Sequence, residues 1–119
     1  MVAAAKGHVK ATRLILDAGA DVNATDVYLW TPLMRAAYEN RRDVVAALLE
    51  HGETDILSRD EHGATALHHA ANQGYGDIVE LLVIHGADPD IRDAKGRTPS
   101  MYAVEMGHDD LARYLESAG

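Results

Sequence analysis

Apolar positions along this chain follow a helical rhythm, and that rhythm recurs. Val44, Val45, Leu48 and Leu49 form one stripe, and Ile78, Val79, Leu81 and Leu82 form another, each on one face of a helix. Ahead of each stripe lies a slimmer segment built around an alanine pair, Ala36-Ala37 and Ala70-Ala71. The threonines that open these segments, Thr31, Thr65 and Thr98, are 34 and 33 residues apart. Gly19, Gly52, Gly86 and Gly119 follow the stripes at intervals of 33, 34 and 33. A fixed period of this length means that one supersecondary unit is copied along the chain, each copy burying its apolar face against its neighbours. The stretch 61–93 is the most regular copy and sets the register for the others.

Within a copy, the polar and special residues punctuate two helices. Thr65 suits the N-cap of the first, where its hydroxyl accepts a free backbone N–H. At Thr31-Pro32 and Thr98-Pro99 the next residue is proline, favoured at the first helical position because the missing N–H costs nothing there. Small alanines let neighbouring copies approach closely. Gly74 ends this helix in a left-handed conformation, and Asn40 stands at the same offset in the preceding copy as the next most tolerant residue. Asp43, Asp77 and Asp110 sit near the starts of the second helices, where the macrodipole favours negative charge by about 0.3–1 kcal/mol each. Gly52 and Gly86 close those helices.

The offsets of Asp60, Gly63, Thr65, Leu67, His68, Ala70, Ala71, Gly74, Ile78, Val79, Leu81, Leu82, Gly86, Ala87 and Asp88 resemble the ankyrin-repeat consensus, and the resemblance spans essentially the whole chain. It implies an all-α fold: an ankyrin-repeat solenoid of four stacked helix-turn-helix pairs with hairpin-like turns between repeats. A single domain, 1–119, would contain a partial repeat at about 1–26 and repeats at 27–60, 61–93 and 94–119. The resemblance also implies that His68 bonds to the capping threonine. Repeat one lacks its turn and its Thr-Pro-Leu, because Met1 aligns with Met34. A fragment of a longer array, or a fraying first helix, is therefore expected. At the other end Ser100 replaces the leucine found at Leu33 and Leu67, and the charged helix His108–Glu116 reads as a C-terminal cap.

Composition narrows the function. The formal net charge of −8 argues against nucleic acid or an anionic membrane as the main partner. No cysteine is present, so no disulfide or thiolate site exists. No signal peptide or membrane span is legible, and an intracellular monomer is expected, cytoplasmic first and nuclear second. Seven histidines raise the question of metal or acid–base chemistry. His8, His51, His68, His85 and His108 stand at repeat positions and read as structural. His68 and His69 are adjacent on a helix and point in different directions, and no spacing supplies three or four convergent zinc ligands. No nucleophile elbow or phosphate-binding loop is present. No catalytic residue, metal or cofactor is expected, and no enzyme.

Asn23, in the segment Leu16–Asn23, resembles the site modified by intracellular asparaginyl hydroxylases. A loop asparagine bracing adjacent turns is the simpler reading.

The departures from the template point to the site. Asp26-Val27-Tyr28-Leu29-Trp30-Thr31 replaces the turn pattern of Asp60–Thr65 and Asp93–Thr98, and the turn glycine becomes Leu29. A leucine held at positive φ costs about 1–2 kcal/mol, so a different turn shape is expected here. Val27, Tyr28, Leu29 and Trp30 have no local core to enter. They either fold back onto a neighbouring turn or helix, or form an exposed anchor of the kind that marks interfaces. Tyr38 extends the same surface, and Glu61, His62, Asn72, Gln73, Lys95 and Arg97 continue it. The expected function is a protein–protein interaction module binding another protein through its turns and the concave face of the first helices. Two further readings stay open: a non-binding structural or regulatory segment of a larger enzyme, channel or effector, and an engineered or selected ankyrin binder. The extra residue between Gly52 and Asp60 lengthens one connection and could alter the angle between repeats.

Overall fold

A computed structural model of the protein describes residues 21–118. The expectations for the partial first repeat, its His8, Gly19 and the terminal Gly119 lie outside the described residues. Six helices follow in order: α1 Pro32–Tyr38, α2 Arg42–Glu50, α3 Ala66–Gln73, α4 Gly76–Ile84, α5 Pro99–Glu105 and α6 Asp109–Ala118. They make three helix pairs, and the described residues hold no strand.

The capping expectations hold in each pair. Thr31, Thr65 and Thr98 accept hydrogen bonds from the backbone N–H of Met34, His68 and Met101, at 3.2, 3.4 and 3.4 Å. Gly74 ends α3 at φ 77°, and Asn40 takes the same left-handed conformation at φ 59°. A Cβ at Gly74 would also lie 2.6–2.8 Å from the His108 imidazole of the following repeat, so that ring would have to swing aside.

The first helices α1, α3 and α5 stack side by side, and this contact carries most of the packing between repeats. Ala36, Ala37, Ala70, Ala71 and Ala103 are buried at that seam. Behind them Leu33, Leu48, Leu67, Ile78, Leu82 and Leu115 fill the space between helix layers. Each such side chain contributes about 1.5–3 kcal/mol by leaving water. Val44, Leu49 and Leu81 are only half-buried, at the margin of the stripe.

The last repeat departs in a paired way. Ser100 is buried where Leu33 and Leu67 stand, and its hydroxyl donates to Glu116 at 3.3 Å. Glu116 occupies the offset of Leu49 and Val83. One apolar contact has thus been exchanged for one polar contact.

The three turns share one design. Asp26, Asp60 and Asp93 each accept two backbone N–H groups on Oδ1, from Tyr28 and Trp30, from His62 and Ala64, and from Lys95 and Arg97, at 2.8–3.0 Å. Leu29, Gly63 and Gly96 close the turns by donating to the aspartate carbonyls at 2.9–3.0 Å. Leu29 therefore adopts the glycine conformation, at φ 62°, and the expectation of a different turn shape is corrected. The bonds to Asp26 offset the left-handed strain. The turns are also linked to one another: Glu61 N–H donates to the Tyr28 carbonyl at 3.2 Å, and Ala94 N–H to that of His62 at 2.9 Å.

The longer connection after α2 is held from the previous repeat. Asn23 donates to the Glu53 carbonyl at 2.9 Å and accepts from the Asp55 N–H at 2.7 Å. No helix among the described residues is long and apolar enough to cross a membrane.

Candidate functional site: the turns and the first helices

The second oxygen of each turn aspartate ties the turn to the helix behind it. Asp26 Oδ2 meets Arg35 at 2.9 Å, Asp60 Oδ2 meets His69 Nε2 at 2.9 Å, and Asp93 Oδ2 accepts from the Tyr102 hydroxyl at 2.5 Å. All three partners stand nine positions after their aspartate, so one structural offset carries three different chemistries.

Two grooves run between the turns. The first, of about 440 Å³, is lined by Tyr28, Trp30, Arg35, Tyr38, Glu39, Asp60, Glu61, His62 and His69. The second, of about 380 Å³, includes Glu61, His62, His69, Asn72, Lys95, Arg97 and Tyr102. Asp60, Glu61, His62 and His69 line both and form the divide between them.

Of the expected site residues, Val27, Tyr28 and Leu29 stand at the turn tip with relative exposures of 86, 56 and 48%. Trp30 does not stand with them. Its ring is half-buried, 4.3 Å from the His69 ring and 5.3 Å edge-on to Tyr38, with the Arg35 guanidinium 5.4 Å away on its face. The two alternatives for the run 27–30 therefore divide: the first three residues project and the fourth folds back. Tyr38 at the end of α1 is exposed, as are Glu61, His62 and Lys95, and Asn72, Gln73 and Arg97 are half-buried. Asn23 is clamped as a brace between connections. Among the described residues no group of histidine and carboxylate ligands could hold a metal ion.

Sequence reasoning missed Asp60, His69, Arg35, Glu39 and Tyr102 as groove residues. The offset from each turn aspartate to Arg35, His69 and Tyr102 would have found three of them.

The electrostatics differ along the face. His69 is pushed below the usual histidine range first by burial, which outweighs the nearby Asp60 charge. It is therefore neutral at pH 7 and leaves the Asp60 charge uncancelled. Burial also opposes the charge on Asp93, but the Tyr102 hydroxyl, the N–H groups of Arg97 and Lys95, and the Arg97 guanidinium outweigh it and lower Asp93 to about 2. Stability from this carboxylate is present above the ordinary value of 3.8 and is lost as pH falls toward 2. Removing the hydroxyl in Tyr102→Phe should cost about 1.5 kcal/mol and move acid unfolding to higher pH, as followed by circular dichroism. An unchanged acid transition would mean that the backbone N–H groups alone hold the charge.

The match to known proteins settles the family. The family profile of ankyrin repeats in three copies matches residues 1–60 and 53–119. The chain belongs to the ankyrin-repeat family. It is 39% identical to the human cyclin-dependent kinase inhibitor 2A over 116 residues, which cover 98% of this chain and 74% of that protein. It is 37% identical to the rat cyclin-dependent kinase 4 inhibitor B, over 98% of this chain and 88% of that one. Mouse diacylglycerol kinase iota is 43% identical over 84 residues, but these are only 8% of its length. This ankyrin-repeat chain is a protein–protein interaction module.

Proposed function

We propose that this chain binds a protein kinase of the cyclin-dependent class through its turns and first helices and restrains it by occupancy, performing no catalysis of its own. The observation that carries the binding face is the projecting apolar tip Val27–Leu29, backed by the Trp30, Tyr38 and His69 rings. Large apolar side chains exposed together at a preformed turn favour an interface, because little ordering is needed at contact. The kinase class is supported by the two inhibitors, which correspond to this chain over most of their own length. The partner-facing residues would be Val27, Tyr28, Leu29, Trp30 and Tyr38, with Glu61, His62, Asn72, Gln73, Lys95 and Arg97 continuing the face. A monomer acting inside the cell, in cytoplasm or nucleus, fits that partner.

Calorimetry with purified cyclin-dependent kinase 4 tests the reading. Wild type should bind in the micromolar range or tighter, and Trp30→Ala should weaken binding by about 2 kcal/mol. Because Trp30 is half-buried, its melting temperature should also fall by a few degrees, so Val27→Asp at the projecting tip serves as the fold-neutral companion. Wild type that binds no cyclin-dependent kinase removes that class. Binding that ignores both substitutions places the interface elsewhere.

A further inference from the structure

The first groove combines aromatic walls with one exposed carboxylate, Glu61, that no lysine or arginine among the described residues pairs with. Arg35 is held between Asp26 at 2.9 Å and Glu39 at 3.7 Å, and Glu39 also meets Arg41 at 3.1 Å, so these two cations and two carboxylates balance. Glu61 does not share in that balance. Its carboxylate is exposed and among the described residues is paired only with His62, at 3.4 Å. Asp60 beside it is buried, with both oxygens occupied by the His62 and Ala64 N–H groups and by His69. Tyr28 and Tyr38 keep about half of their surface open at the rim. A groove of about 440 Å³ falls within the range that accepts a compact ligand or one or two side chains. The whole chain carries −8, so the approach of a positive group is favoured at longer range as well.

We infer that this groove receives an arginine or lysine of the partner protein, carried beside an apolar residue, with the cation against Glu61 and its stem along Tyr28, Trp30, Tyr38 and His69. The cation gains from the carboxylate and from the aromatic walls together, and the aliphatic stem covers apolar surface. The neighbouring apolar residue meets the tip at Val27 and Leu29. An acidic partner segment is disfavoured by the same carboxylate. The inference deepens the binding reading above and rests on that face being the interface, but not on the kinase class.

A random dodecapeptide library displayed on phage and selected on the immobilised full chain tests it directly. Enriched peptides should carry Arg or Lys within two positions of an aromatic or aliphatic residue. Synthetic copies should bind at least fivefold more weakly to Glu61→Gln, and more weakly as salt is raised, while Glu80→Gln, exposed on α4 and outside both grooves, should change affinity less than twofold. Glu61 is exposed, so its substitution leaves the fold intact. No enrichment, enriched peptides without a cation, or equal affinity for Glu61→Gln would each overturn the inference. Selection that succeeds while cyclin-dependent kinase 4 fails to bind removes the kinase reading alone.

Discussion

Replacing His68 by leucine should lower the unfolding free energy by about 2 kcal/mol, although the shapes are similar and the site is buried. The imidazole is fully enclosed and uses both nitrogens. Its Nδ1 accepts the Thr65 N–H at 3.1 Å, and its Nε2 donates to the Arg97 carbonyl at 2.9 Å in the next repeat. Leucine would leave the Thr65 N–H buried without a partner, at about 1–3 kcal/mol, while the Arg97 carbonyl would keep only the Asp93 N–H at 2.9 Å. Urea unfolding read by circular dichroism measures the loss. A drop below about 1 kcal/mol would show that the pocket refills with water or collapses.

The same residue gives a pH signature with a fixed sign. Burial lowers the His68 value from the ordinary 6.5, ahead of the opposing contributions of the Arg97 carbonyl and Asp93. Because Nδ1 accepts the Thr65 N–H at 3.1 Å, a proton there would break that bond. The unfolded chain takes up a proton below about pH 6.5 that the folded chain refuses, so stability falls as pH drops. His69 contributes in the same direction. The leucine variant should show a shallower slope between pH 7 and 5.

Changing Leu29 to glycine should move stability and binding in opposite directions. The left-handed conformation at φ 62° costs leucine about 1–2 kcal/mol. Glycine removes that cost and adds back about 0.5–1 kcal/mol of chain entropy, so a net gain of roughly 0.5–1 kcal/mol is expected. At the same time the variant loses half of the apolar tip, and affinity for the partner should fall at least tenfold, or about 1.4 kcal/mol. A residue with a purely structural role would not separate the two readouts in this way. If stability rises while affinity holds, the tip makes no contact. If stability falls, Leu29 packs onto its own turn more than its exposure indicates.

Much of the fold was legible because it repeats. Thr31, Thr65 and Thr98 marked three helix starts, and the glycine offsets marked their ends, since a cap and a left-handed residue each allow few residue types. Asn40 at a glycine position supported the register for the same reason. The site was legible only in part. Leu29 stands out as an anomaly in the sequence, but its conformation does not, because the strain is offset by the Tyr28, Leu29 and Trp30 N–H groups donating to Asp26. Trp30 was grouped with its three exposed neighbours, yet it packs against His69 of the following repeat, a contact between residues far apart in sequence. The groove charge is hidden for a related reason: whether Glu61 meets a lysine or arginine depends on how side chains pair across the turns, and periodicity carries no information about that.

Asn23 has a consequence for any chemistry attempted on it. Its amide fastens two connections at once, through the Glu53 carbonyl and the Asp55 N–H. A reagent or enzyme that must draw this side chain into its own pocket has to wait for both bonds to part. The rate of such a reaction would therefore follow the local opening equilibrium more closely than the residue's surface exposure. Labelling of Asn23 would then serve as a clock for the separation of the first two described connections, faster in any variant that loosens them and slower in any complex that holds them together.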